Sequence, residues 1–109
     1  MPKATLAVYA NPADAAREDE FNAWYNDTHI PQVLALDGFV GATRHRLSSA
    51  QLGGTVEHKY VTFYEIDAPD VQAVLDGLSK GFANGAVTMS DAMSPGPVVV
   101  WEHLNTASA

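Results

Sequence analysis

Short apolar runs separated by polar turns organise the chain, and their spacing predicts four strands and two helices. Strands are predicted where β-branched and aromatic residues cluster, at residues 5–9, 39–48, 58–66 and 97–104. A first helix is predicted from Ala15, with Asp14 as its N-cap. A second helix follows Asp67 or Asp70 as its N-cap and ends at residues 80–81. Its apolar positions have the spacing of one buried face. They are Val71, Val74, Leu75 and Leu78.

The predicted order is β-α-β-β-α-β, which is the ferredoxin-like unit of the α+β class. We therefore expect one domain over residues 1–109, with a four-stranded antiparallel sheet and both helices on one face. On the third strand, Tyr60 and Tyr64 would share one face while Phe63 lies on the other. Because both faces carry apolar residues, the uncovered face predicts a homodimer formed through the two sheets.

The first helix contains an unusual polar interruption at residues 26–31, NDTHIP, directly after Trp24 and Tyr25. Pro31 lacks a backbone N–H, so we expect the helix to break there and a second piece to begin. Asp27 or Thr28 would cap that piece, which places His29 near the positive end of the helix dipole. That position and the neighbouring aromatic rings favour a neutral imidazole, which can accept or release a proton.

Less specific roles are open for the same residues. A histidine near a helix end is commonly a surface or capping residue, and Trp24 and Tyr25 could simply fill the core. The other three histidines, His45, His58 and His103, fall on predicted strands without the spacing of a helical zinc motif. His45 lies between two arginines that we interpret as solvated strand residues. It is the combination of titratable and aromatic groups at a helix break that indicates a small-molecule site.

Composition excludes several classes of protein. The net charge is −7 with only six Lys plus Arg, which argues against nucleic-acid binding. No apolar run approaches the roughly 18 residues of a membrane span, and the apolar N-terminal stretch is predicted to be a strand and not a signal peptide. The 109 residues include no cysteine, which rules out disulfides and thiolate metal sites and favours a cytoplasmic location.

Motifs along the first two-thirds of the chain resemble the EthD-like family of the dimeric α+β barrel superfamily. The residues that carry the resemblance are Phe21, Trp24-Tyr25, His29-Ile30-Pro31, Leu34, Gly38-Phe39 and Tyr64-Glu65-Ile66. The resemblance implies a homodimer in which two sheets face each other and each protomer keeps a pocket between sheet and helices. It also places the family's motif histidine at His29. The superfamily includes monooxygenases, cyclases and isomerases, so the fold does not determine the reaction.

The leading functional expectation is a cofactor-independent lyase, isomerase or cyclase without a metal. Its substrate would be a small, oxygenated, mostly apolar metabolite of aromatic, polyketide or lactone-like character. His29 would move a proton and Asp27 would orient it, while the pocket would be shaped by Trp24, Tyr25, Tyr60 and Tyr64. Two alternatives are a cofactor-free or haem-linked monooxygenase and a non-catalytic ligand-binding accessory protein. Residues 82–96, rich in small side chains, are predicted to gate the pocket.

Overall fold

The structure is a computed structural model that describes residues 3–109. Its four strands form an antiparallel sheet in the order β2-β3-β1-β4. They are β1 (Lys3–Pro12), β2 (Phe39–Arg46), β3 (Tyr60–Asp67) and β4 (Met93–Glu102). The predicted ferredoxin-like architecture of the α+β class is confirmed, and the N-terminal apolar stretch is indeed a strand.

Two helical segments pack on one face of this sheet. The first begins with a 3-10 turn (Ala15–Arg17) and continues through α1 (Glu18–Trp24), a π-helical turn (Tyr25–His29) and α2 (Ile30–Leu34). The second is α3 (Val71–Asn84). Each begins at a predicted cap, because Asp14 accepts the N–H of Arg17 and Asp70 accepts the N–H of Ala73. No helix within residues 3–109 combines the length and apolarity needed to cross a bilayer.

Side chains alternate between the two faces of the sheet as the sequence pattern predicts. Leu6 of β1 lies opposite Tyr64 of β3 and Val100 of β4, and these residues face the helices. Together with the apolar sides of α2 and α3, this face builds the main core. Its buried residues are Ala4, Leu6, Val33, Phe39, Tyr64, Ile66, Ala68, Val74 and Val87.

The opposite face of the sheet has no helix over it. Ala7 lies there between Phe63 and Val99, one residue out of phase with the core positions. Val99 is 37% exposed and Trp101 is 60% exposed. His45 packs its ring edge-on against Phe63 at 5.4 Å between ring centroids. This face, called the open face below, is therefore apolar at its centre.

Several predicted boundaries are wrong. Helix α3 does not end at Gly81 but runs about one turn further. Gly81 is instead a packing position, because a side chain there would crowd Val87 and Leu36. The helix ends at Gly85, whose φ of +84° is the left-handed conformation that glycine adopts without strain. Strand β4 begins four residues earlier than predicted. Pro95 is tolerated within it because β4 is an edge strand.

Two of the three remaining histidines are placed differently from the prediction. His45 lies on β2, but His58 is in the loop before β3 and His103 follows the end of β4. Within the described residues, no group of three histidine or acidic side chains is arranged to hold a metal ion.

Candidate functional site

The predicted break in the first helix is a π-helical turn instead. The N–H of Ile30 bonds to the carbonyl of Tyr25, five residues back, and the backbone stays helical on both sides. Pro31 has no N–H, and its ring crowds the carbonyl four residues earlier. A wider turn just before the proline relieves this crowding without ending the helix. Asp27 and Thr28 are therefore exposed helical residues and not N-caps, which corrects the sequence interpretation.

The π turn gathers aromatic rings around His29. Residues five apart come onto one side of such a turn, and the ring of Trp24 stacks on the imidazole at 4.6 Å between centroids. Tyr25 meets it edge-on at 5.1 Å, and Phe82 of α3 lies 6.3 Å away. His29 is consequently only 5% exposed. π turns of this kind occur frequently at functional sites.

A cavity of about 110 Å³ lies between the sheet and the helices, next to this turn. Tyr25, His29 and Val33, spaced by four residues, form its helical wall. Phe82 and Met89 are 42% and 53% exposed and lie at its mouth. The remaining lining is almost entirely apolar. It consists of Leu6, Val8, Tyr9, Tyr64, Leu78, Met93, Pro95, Gly96 and Val98.

The imidazole of His29 is oriented by the backbone of a distant loop. Its Nδ1 lies 3.2 Å from the carbonyl oxygen of Thr88. A carbonyl can only accept, so Nδ1 carries the proton and Nε2 keeps its lone pair. Burial lowers the pKa of His29 below its ordinary value, and the hydrogen bond to Thr88 opposes this to a lesser degree. The sequence analysis expected two causes for a lowered pKa, a helix dipole and the neighbouring aromatic rings. Burial among those rings is the main cause, whereas the dipole is not, because the helix does not begin there.

Asp27 does not orient this histidine as the sequence suggested. It projects from the exposed side of the π turn, two residues before His29, and the Nδ1 atom is engaged by Thr88 instead. Neighbouring positions in a helix point in different directions, so closeness in sequence did not bring the two side chains together.

The predicted aromatic residues divide into two groups. Tyr25 and Tyr64 line the cavity, whereas Trp24 packs behind the imidazole. Tyr60 does not line the cavity, which corrects the prediction. It lies four residues from Tyr64 along β3, opposite Ala10, and its hydroxyl group donates to the carboxylate of Glu18.

The hydroxyl groups of Tyr25 and Tyr64 are buried without a hydrogen-bond partner among the described residues. Burial first, and then the neighbouring Tyr25, raise the pKa of Tyr64 above its ordinary value. The two hydroxyl groups are neighbours, but their geometry falls short of a hydrogen bond. With its pKa raised, the Tyr64 hydroxyl remains protonated at physiological pH and can donate. Buried polar groups in folded proteins are normally paired, so two adjacent unpaired hydroxyls on residues that line a cavity are unusual.

Arg44 packs against the ring of Tyr25 on the side away from the cavity. The sequence analysis missed this supporting role. Arg44 is half-buried and not a solvated strand residue. Its guanidinium lies 4.5 Å from the ring centroid of Tyr25 and donates to Asn22 at 3.0 Å and Asn26 at 2.9 Å. It therefore ties β2 to the helix that carries His29.

Comparison with known proteins places this chain in a family. Residues 11–74, more than half of the chain, match the family described as "Domain of unknown function (DUF4286)". The chain belongs to the DUF4286 family. The matched segment includes His29, Tyr64 and Arg44, but it ends before Thr88. No curated protein sequence matches the chain significantly.

Two solved structures resemble this DUF4286 protein over nearly their whole length. HapK from Hahella chejuensis is 20% identical, with a TM-score of 0.57 and coverage of 97% of both chains. An ethyl tert-butyl ether d (EthD) family protein from Bacillus halodurans C-125 is 17% identical, with a TM-score of 0.60. That match covers 95% of this chain and 100% of the other. The EthD-like resemblance is thereby confirmed. At these identities the likeness shows the fold alone.

The site of this DUF4286 protein also depends on a loop whose contact with His29 the sequence did not indicate. Residues between α3 and β4 supply the carbonyl of Thr88 and the exposed side chain of Met89. Gln32, three residues after His29, accepts hydrogen bonds from Thr88. The proline-containing helix meets a small-residue loop 59 positions further along the chain. No sequence signal indicates this contact. Only the composition of residues 82–96 suggested that this segment borders the pocket.

Proposed function

We propose that this DUF4286 protein binds a small, mostly apolar, oxygenated metabolite in the cavity and that His29 moves a proton on it. The observation that carries the proposal is the state of the imidazole. It is buried, neutral and oriented by Thr88, with Nε2 left to accept a proton in an apolar wall. Such a base is suited to the pH range near neutrality.

The proposed chemistry is proton removal next to a carbonyl group. Nε2 of His29 takes a proton from the carbon beside the carbonyl, and the electron pair of that C–H bond moves to the oxygen to form an enolate. The imidazolium then returns the proton, to the same or to another atom. Isomerisation, cyclisation and elimination of a hydroxyl group all begin with this step. The reaction class is therefore a cofactor-independent isomerase, cyclase or lyase.

Two tyrosine hydroxyls supply the polar part of the proposed site. Tyr25 and Tyr64 line the cavity and carry buried hydroxyl groups without a partner within residues 3–109, and a carbonyl or enolate oxygen is the acceptor that they lack. A small movement of side chains in the tightly packed wall would let an oxygen atom of the ligand reach these two hydroxyl groups. An unpaired buried donor costs about 1–3 kcal/mol, which the bound oxygen would offset. This favours an oxygenated ligand over a hydrocarbon.

The size of the cavity limits the ligand and bears on the haem-linked alternative. A dry cavity of about 150 Å³ is known to hold a benzene molecule, so about 110 Å³ with an open mouth suits one small ring. The porphyrin of a haem, with four pyrrole rings joined by methine bridges, does not fit this space, and among the described residues a single histidine lines it. We therefore keep the cofactor-free monooxygenase as the alternative enzyme and set the haem-linked one aside.

Exchange of α-protons in D₂O tests the proposal without knowledge of the natural substrate. Acetophenone is a small aromatic ketone whose methyl protons a positioned base can exchange for deuterium, as followed by ¹H NMR. We expect catalysed exchange by the wild-type protein and a loss of about 10²–10⁴-fold in His29→Gln. The matched control is His103→Gln, which removes an exposed histidine beyond β4 and should leave the rate unchanged.

The outcomes separate the competing functions. Acetophenone that binds without exchange in the wild-type protein would favour a non-catalytic ligand-binding protein. Oxygen uptake with a phenolic compound, measured with an oxygen electrode, would favour the cofactor-free monooxygenase. Equal exchange rates in the wild-type protein and in His29→Gln would show that the base is misassigned.

We also propose that the protein acts as a homodimer in the cytoplasm. The apolar open face supports the dimer, because a sheet face with exposed Val99 and Trp101 is stabilised by burial against an identical face. The absence of cysteine and the acidic composition favour the cytoplasm.

A further inference from the structure

One residue of the loop between α3 and β4 is held from two sides by the same helix. The carbonyl oxygen of Thr88 accepts from Nδ1 of His29 at 3.2 Å. The N–H and the hydroxyl group of Thr88 both donate to Oε1 of Gln32, at 2.8 Å and 3.1 Å. Gln32 follows His29 by three residues, which is close to one helical turn.

These hydrogen bonds matter because few other contacts hold Thr88 in its position. The residue is exposed and lies outside the helices and strands. The loop is anchored nearby, where the N–H of Val87 bonds to the carbonyl of Gly81 and the N–H of Ala13 bonds to the carbonyl of Ala92. Between these anchors, the bonds that hold Thr88 are those to Gln32 and to His29.

The position of that carbonyl decides which nitrogen of His29 carries the proton. With the Thr88 oxygen at 3.2 Å, a proton on Nδ1 makes a hydrogen bond, whereas a bare Nδ1 would place two lone pairs against each other. Without such a partner, a neutral imidazole in water favours the opposite tautomer, with the proton on Nε2. A base at Nε2 therefore requires the carbonyl to stay in place.

We propose that Gln32 is a positioning residue that sets the tautomer of His29 by holding the Thr88 backbone. Gln32 makes no contact with the cavity and acts only through Thr88. The functional meaning of the tautomer rests on the proposed role of His29 as a base. The positional effect itself does not rest on that role, because the tautomer can be measured in the free protein.

The test is ¹⁵N NMR of the histidine side chains in labelled protein at a pH where His29 is neutral. In the wild-type protein we expect the His29 signals of the Nδ1–H tautomer. Gln32→Leu removes the acceptor at nearly constant volume, and the tautomer ratio should then shift about fivefold or more towards Nε2–H. That shift corresponds to the loss of one hydrogen bond of typical strength. Gln32→Glu keeps an oxygen acceptor and should restore the wild-type signals.

A control variant, amide exchange at Thr88 and exchange of ketone protons make the result decisive. Gln72→Leu on α3, whose side chain bonds only to Asp76, should leave the His29 signals unchanged. Amide exchange at Thr88 should become at least tenfold faster in Gln32→Leu and not in Gln72→Leu. Wild-type His29 signals in a folded Gln32→Leu protein would overturn the proposal. If the tautomer shifts as expected but the wild-type protein does not exchange ketone protons, the positioning holds and the proposed function fails.

Discussion

At the scale of single residues, burial of an uncharged histidine makes stability depend on pH. His29 lies among Trp24, Tyr25 and Phe82, where a charged ring loses most of its hydration. Its pKa in the folded protein is lowered by this burial. Between that lowered pKa and the ordinary value of about 6.5, the unfolded chain binds a proton that the folded chain excludes. The free energy of unfolding must therefore fall as the pH falls through this range.

The first prediction compares urea unfolding of the wild-type protein and His29→Gln at pH 7.5 and pH 5.5. The wild-type protein should lose more stability on acidification, with a slope of at most about 1.4 kcal/mol per pH unit from this residue. Glu18 and Glu20 also have lowered pKa values, through ion pairs with Lys59 and Arg17, but they titrate at lower pH. Equal losses in the two proteins would contradict a neutral, buried His29.

The second prediction concerns the unpaired hydroxyl of Tyr64. Tyr64→Phe removes a buried polar atom that has no partner, so the free energy of unfolding should stay constant or rise, by up to about 1–3 kcal/mol. The same change should weaken binding of acetophenone and leave binding of α-methylstyrene, its hydrocarbon isostere, unchanged. Calorimetry and urea unfolding measure both effects. A large loss of stability would show that the hydroxyl is paired in the free protein.

At the scale of elements, the sequence predicts the features that depend only on neighbouring residues, such as helix caps. Asp14 and Asp70 were identified as caps because a cap needs only the next three residues. Pro31 was correctly identified as a disturbance, but a proline can break a helix or widen it, and packing of the rings against the cavity favours the continuous form. The roles of Arg44 and Thr88 depend on strand register and loop position, which a single sequence does not specify.

The third prediction concerns the loop from Gly85 to Asp91, the central part of the segment predicted to gate the cavity. It is anchored at Val87 and Ala92, yet Met89 at the cavity mouth is exposed. Amide exchange should be faster at Met89 than in α3 of the free protein, and it should slow when acetophenone is bound. Mass spectrometry of peptides covering the loop measures this difference. Equal protection in both states would show that the loop is fixed structure and not a gate.

At the scale of the whole molecule, the open face makes the single chain incomplete. The sheet is covered by helices on one side only, and the uncovered side exposes Trp101, Val99 and part of Phe63. A protein of 11.6 kDa buries a comparatively small share of its surface, so losing this area to water is costly for it. Pairing two such faces would bury them and leave both cavities on the outer sides of the sheets.

The fourth prediction is that light scattering at micromolar concentration gives twice the chain mass of 11.6 kDa. Trp101→Glu should shift the protein to monomers, because a carboxylate buried in an apolar interface loses its hydration without gaining a partner. Leu34→Glu places the same charge on the helical side, opposite the open face, and should leave the dimer intact. A wild-type protein that is monomeric under these conditions would exclude the sheet-to-sheet dimer. In that case the exposed Trp101 would have to face a different partner.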